Sequence, residues 1–252
     1  MSRGNANELQ SPVKKTFEWN GDAGGFKSYN KETKTNDAIP LPFRFLVLDQ
    51  LSTVKGFNDH KKSGYWANEV RYTKKDILSV YSKGGLQAEG FYSDIIGDLT
   101  GAKYCKVVYI CYFEGKELVM GKINFVGAAL SAWIDFSKET DVEKGAIEVA
   151  DMKEGKKGKT VYQIPVFKVI EVSEASDQKA IEINNTILQP FLQNYLTSHK
   201  EATPAVTENG STVKNVYKEV DTSHDDIPSG GSEEPTDDLP FRFSPNQFKF
   251  NV

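Results

Sequence analysis

Residues 102–125, AKYCKVVYICYFEGKELVMGKINF, leave this chain few folding options. Valine, isoleucine, tyrosine, phenylalanine and cysteine dominate, and Glu114-Gly115-Lys116 is the one break. β-branched and aromatic residues favour strands, so the run predicts a hairpin turning at those three residues. Its first arm puts Cys105, Val107, Tyr109 and Cys111 on one face and Tyr104, Lys106, Val108, Ile110 and Tyr112 on the other. The fold class is therefore mainly β, built around this hairpin.

The flanking segments extend that reading. LPFRFLVLDQLSTVKGF (41–57) is too apolar for a loop and predicts a strand, with Phe43 and Phe45 on the core side. GYWANEVRYT (64–73) predicts a second strand, and NDHKKSG (58–64) a basic turn between them. VGAALSAWIDFSKE (126–139) switches to helical period, with Val126, Ala129, Leu130, Trp133 and Ile134 as one stripe. Residues 146–172 form a second hairpin turning through KEGKKGK, and 176–199 a helix opened by Ser176 and Asp177 and interrupted at Pro190. Strands, a helix, a hairpin and a last helix match the order of an OB-fold, a five-stranded Greek-key barrel, followed by a C-terminal helix. Residues 76–101 do not fit that order and read as an insertion.

Three parts follow: a polar, flexible N-terminal arm over 1–38, an OB-fold body over 39–199, and a disordered tail over 200–252. Charge separates the last two. The 252-residue chain has a formal net charge of −4, yet residues 201–252 hold ten Asp/Glu against four Lys/Arg. The remaining 200 residues hold 27 basic and 25 acidic side chains, so the body is mildly basic. That directs the search for an anion-binding surface to the body.

Several chemistries are excluded as expectations. GDAGGFKS (21–28) lacks the spacing of a phosphate loop, and no GxSxG, HExxH or GxGxxG occurs, so the chain is not expected to be an enzyme. Asp135 and Asp151 could be imagined as paired carboxylates, but solvated positions on a helix and a strand explain them more simply. Neither CxxC nor histidine spacing suggests zinc, and no cofactor is expected. Cys105 and Cys111 lie six residues apart on one strand, about 20 Å, too far for a disulfide. The N-terminus lacks the apolar core of a signal peptide and no run reaches a membrane span, which points to the cytoplasm and no membrane partner.

What remains is a binding signal, basic residues interleaved with aromatics. Lys61, Lys62, Tyr65, Trp66, Arg71, Tyr72, Lys74 and Lys75 fall within one short stretch. Lys153, Lys156, Lys157, Lys159 and Tyr162 mark the second hairpin, and Tyr104, Lys106 and Tyr112 share one strand face. Bases of a single strand stack on exposed rings for about 1–3 kcal/mol each while phosphates meet lysines. A duplex hides those faces. Core packing of Trp66 and Tyr72, which share parity with Val70, and a merely solubilising role for Lys156, Lys157 and Lys159, stand as alternatives.

The tail adds Asp237, Asp238, Leu239, Pro240 and Phe241, after an acidic stretch from Asp221 to Asp238 without Lys or Arg. A basic OB-like body, an acidic linker and a tip of this type resemble the single-stranded DNA-binding proteins of bacteria and their phages. The resemblance implies a non-enzymatic protein that coats and protects single-stranded DNA during replication or recombination. It also implies sequence-independent binding and recruitment of replication or recombination proteins through the tail, in the host cytoplasm if phage-encoded. Arg242 to Val252 follow Phe241, whereas that family's phenylalanine is usually last. Leu239-Pro240-Phe241-Arg242-Phe243 also repeats Leu41 to Phe45, which suggests a tail that returns to the body and competes with DNA. An adaptor or virion-associated protein with an aromatic docking peptide is the rival reading.

Overall fold

Eleven strands follow one another with a helix at two breaks and helices at the end, in a computed structural model that describes residues 10–201. They are β1 (Lys15–Asn20), β2 (Gly25–Asn30), β3 (Thr35–Ile39), β4 (Phe43–Asn58), β5 (Ser63–Ala67), β6 (Leu78–Ser82) and β7 (Gly85–Gly90). After the short helix α1 (Tyr92–Ile95) come β8 (Ala102–Glu114), β9 (Glu117–Phe125), α2 (Gly127–Glu139), β10 (Ala146–Lys157) and β11 (Thr160–Ile170). Helix α3 (Glu174–Ile183), a π-helical turn (Asn184–Leu188) and α4 (Gln189–Glu201) end the described chain. The fold is mainly β with a C-terminal helical segment.

The hairpin β8–β9 forms where the sequence predicts it, closing on Glu114 opposite Glu117. Its two faces separate as the alternation requires. Val108, Ile110 and Tyr112 enter one core with Phe17, Phe26, Phe43, Phe45, Ile123, Phe125 and Trp133 of α2. Cys105, Val107, Tyr109 and Cys111 enter a second core with Met120 and Ala180, Ile183, Leu188 and Leu192 of the C-terminal helices. Both cysteines are free and buried, and burial pushes both thiols up to about 12. The C-terminal helix is therefore a cover for the sheet's second face rather than an appendage.

Strand order is β3-β2-β1-β9-β8-β4-β5-β6-β7, with β10 pairing β4 and β11 pairing β10. The sheet is open, where the sequence predicts a closed five-stranded barrel. The reason lies in β1, which pairs in parallel with β9. The free edge of β11 meets the turn after β1: Gln163 N–H donates to the Gly21 carbonyl at 2.7 Å, and Trp19 Nε1 to the Gln163 carbonyl at 2.8 Å.

That placement corrects the flexible arm read over 1–38. Residues 15–39 form three strands, and Phe17 and Phe26 are each 1% exposed in the first core. Phe17 lies edge-on to Tyr112, with centroids 4.9 Å apart. Sparse aromatic anchors hold this segment despite a polar composition, because each strand buries only one face.

Smaller differences also have causes. Helix α3 is capped by Ser173, whose Oγ accepts from the Ser176 N–H at 3.3 Å, three residues earlier than the sequence predicts. Pro190 lacks an N–H, and the helix passes it through the π-helical turn Asn184–Leu188 rather than by breaking. The second hairpin turns over Gly158 and Lys159 alone, with Gly158 at φ +58°, and KEGK extends the strand β10 instead of looping. The repeat copy at Leu41 to Phe45 meets expectation in part: Phe43 and Phe45 are both buried, facing the first core.

Candidate nucleic-acid interface

β4 is long enough to serve two sheets. Its start, Phe43 to Leu46, pairs β10, β8 runs beside it from Phe45 to Gly56, and Gly56 to Asn58 pair β5. Gly56 and Gly101 permit this, since a Cβ on either would overlap the facing backbone. The departing end supports a small sheet, β5-β6-β7, over a third core of Val54, Tyr65, Val70, Leu78, Val80, Ile95 and Leu99.

Alternation on β5 and β6 sends Tyr65, Leu78 and Val80 inward and Trp66 and Tyr81 outward. Trp66 and Tyr81 are direct cross-strand partners, and Tyr81 faces Leu86 on β7. The two rings lie 6.4 Å apart at 18°, a stacked pair. Trp66 is 45% exposed and Leu86 51%. An exposed indole forgoes hydrophobic free energy that burial would have supplied. The lysines gather beside it. Lys61 and Lys62 sit in the β4–β5 turn, and the Lys83 N–H donates to Ser63 Oγ at 3.0 Å, bringing the β6–β7 turn alongside. Lys61 Nζ reaches Gln87 Oε1 at 3.2 Å.

Beyond β5, Tyr72 is 60% exposed, with Lys75 Nζ 5.7 Å from its ring centroid. The Tyr92 N–H donates to the Thr73 carbonyl at 3.3 Å, so Thr73 and Lys74 form a small surface pocket with Phe91, Tyr92 and Ser93. Tyr92 meets Tyr104 edge-on at 5.4 Å, and the Tyr104 hydroxyl shares a 2.7 Å hydrogen bond with Ser52. Lys61 and Lys62 thus precede β5 and Tyr72, Lys74 and Lys75 follow it, with Trp66 on the strand between them.

Other residues singled out by the sequence lie elsewhere. Tyr65 is buried and accepts from Asn58 Nδ2 at 2.9 Å, inside the third core. Tyr112 is buried in the first core, its hydroxyl without a hydrogen-bond partner and pushed up to about 12 by burial. The strand of Tyr112 has two buried faces, so parity alone could not mark an outside there, while on β5 it is Tyr65 and not Trp66 that faces the core. Tyr104 is half-buried, and Lys106 is half-buried with its pKa lowered, by burial first and by Arg71 second.

Arg71 is no free cation. Its guanidinium grips both oxygens of Asp49, the Nη2–Oδ2 bond being 2.9 Å. Burial pushes the Asp49 carboxyl up, but bonds from Arg71, Gln189 and the Gln50 N–H more than offset it and hold it below the usual range. Arg71→Ala should therefore cost about 1–3 kcal/mol of stability and leave the salt dependence of nucleic-acid binding unchanged. Chemical denaturation and a salt titration together check this; a reduced salt slope would make Arg71 a phosphate ligand instead.

Lys153, Lys156, Lys157 and Lys159 are exposed and Tyr162 half-buried on the β10–β11 hairpin. β10 leaves β4 at Phe43, whereas β5 joins at Gly56, on the order of 40 Å along the strand. The hairpin lysines are not gathered with Trp66. Asp237, Asp238, Leu239, Pro240 and Phe241 lie outside the described residues.

Tyr81, Lys83, Leu86, Phe91 and Tyr92 were missed by sequence reasoning because 76–101 does not fit a five-strand order. The signal was there: Leu78, Val80 and Ser82 alternate with Tyr81, and Gly84-Gly85 marks a turn. Among the described residues, no cluster of His, Cys, Asp and Glu could hold a metal ion, and no helix is long and apolar enough to cross a membrane. No family model, curated protein or solved structure matches the chain.

Proposed function

We propose that this chain is a non-enzymatic single-stranded DNA-binding protein. One observation carries the reading: a Trp66–Tyr81 pair stacked with Trp66 exposed and Tyr81 half-buried, bordered by Lys61, Lys62 and Lys83 from two adjacent turns. Stacked rings offer a flat π-face to any base, and lysines around it meet phosphates without reading sequence. The ligand is accordingly a single strand bound irrespective of sequence, as an agent of coating and protection in replication or recombination. Topology supports an OB-type body within the open sheet: β4, β8 and β9 form a meander, α2 follows, and β10–β11 returns to β4. β1 then occupies the side of β9 where a closed barrel would place its last strand. Recruitment of replication or recombination partners through Asp237 to Phe241 completes the proposal.

Fluorescence anisotropy of labelled oligo-dT, beside a duplex of equal length and over a salt series, tests it. Binding that prefers dT and weakens with salt is expected; no binding to either ligand overturns it and turns attention to a protein partner. Replacing Lys61, Lys62 and Lys83 singly with alanine should reduce the slope of log affinity against log salt by about 0.7 for each phosphate no longer neutralised. An unchanged slope in all three removes these turns from the path.

A further inference from the structure

The segment between β5 and β6 follows Trp66 and carries Tyr72 and Lys74, and its backbone bridge to the main sheet is Ser52 with Val70. Its other restraints are side-chain bonds to β4, β8 and β9 and, less expectedly, to the C-terminal helices. The Glu69 N–H donates to the Tyr195 hydroxyl of α4 at 2.8 Å. The Glu69 carboxylate, on a residue 8% exposed, accepts from Tyr109 Oη and Lys122 Nζ at 2.7 Å each. Two residues on, Arg71 grips Asp49, and Gln189 at the start of α4 donates its Nε2–H to the same carboxylate at 3.0 Å. Leu188 and Leu192, both fully buried, fix the helix against the sheet, so Gln189 and Tyr195 act from a rigid base.

We infer that the C-terminal helices position the nucleic-acid site: Tyr195 and Gln189 hold residues 69–71 so that Trp66 and Tyr72 are presented for stacking. The inference rests on the single-strand-binding reading above. A buried N–H that loses its acceptor and a carboxylate that loses a donor both favour an opened segment. Affinity then falls in proportion to the fraction of molecules that still present the site. Tyr195 and Gln189 touch no ligand; they are positioning residues. The consequence is regulatory, because anything that shifts α4 changes the binding face on the opposite end of this network.

The test uses the full chain with Tyr195→Phe and, separately, Gln189→Met. The first keeps the ring packing on Phe191 and His199, 5.8 and 4.2 Å between centroids, and the second keeps side-chain length. Each should weaken oligo-dT binding roughly three- to tenfold, the effect of removing one buried hydrogen bond, with a salt slope equal to wild type. In a Trp66→Ala background the same substitutions should have little further effect, which a general loss of stability would not produce. If wild type binds dT and both variants bind equally well, or if their losses persist undiminished without Trp66, the positioning role is wrong while the binding reading stands. If wild type does not bind dT, the binding reading itself fails. Should Tyr195→Phe unfold, Gln189→Met decides alone.

Discussion

Trp66→Ala is expected to weaken oligo-dT binding by roughly five- to 150-fold, the equivalent of one base stack of about 1–3 kcal/mol. Trp66 is 45% exposed and its ring lies flat beside Tyr81, so its removal opens no cavity in a core and should leave the unfolding midpoint nearly unchanged. The salt slope should also hold, because an indole neutralises no phosphate. Trp66→Phe should recover much of the affinity by restoring a π-face. The combination separates stacking from charge: reduced affinity with a constant slope is the signature of a base platform. A change of less than twofold would mean that no base rests there, and the lysine turns would then have to explain binding alone. Trp66 also supplies the optical readout, since Trp133 is 1% exposed and Trp19 is half-buried; quenching on titration with dT should disappear in Trp66→Ala.

The largest effect on stability is expected from Trp133→Ala, a loss of about 3–5 kcal/mol. This ring is the largest side chain that helix α2 sends into the first core, beside Ala129, Leu130 and Phe136. It stacks on Phe125 at 5.1 Å and 16°, meets Phe167 edge-on at 5.2 Å, and lies 6.0 and 6.3 Å from Phe136 and Phe45. Its Nε1–H donates to Gln50 Oε1 at 3.1 Å. Truncation thus leaves both an indole-sized void and a glutamine oxygen without its donor, two costs that add. With about 5–15 kcal/mol of total stability typical of a folded chain, such a loss leaves little margin. Urea unfolding followed by circular dichroism should show a lower midpoint at similar slope. A shift worth less than about 1 kcal/mol, well under the range for a buried tryptophan, would mean that α2 is not part of the first core.

Much of this fold is legible in residue order. The β-branched and aromatic run at 102–125 marks a hairpin, and Glu114-Gly115-Lys116 its turn, while the covering of both its faces is not legible there. Phe43 and Phe45 are recognisable as core residues by shared parity, and Trp133 by its helical stripe. Lysines in polar turns, such as Lys61 and Lys62, are bound to be exposed, because nothing local can bury them. Residue order alone thus establishes the strand character, the helix α2, the two reduced cysteines and the basic turn beside an aromatic strand. These depend on local periodicity and turn chemistry, which act over a few residues.

Which face lies outside is a different matter, set only when distant segments come together. Tyr65 and Trp66 are neighbours of the same class, yet β4 and β6 bury the first and leave the second open. Tyr112 shares a strand face with Lys106, but Phe17 of β1 packs edge-on against its ring. Arg71 has the look of a phosphate ligand until Asp49, 22 residues away, and Gln189, 140 residues from that carboxylate, come beside it. The placement of β1 beside β9, which keeps the sheet open, is likewise a pairing across the whole body. Inside and outside are set by what packs on a strand, and the packing partners come from distant parts of the chain that no local pattern names.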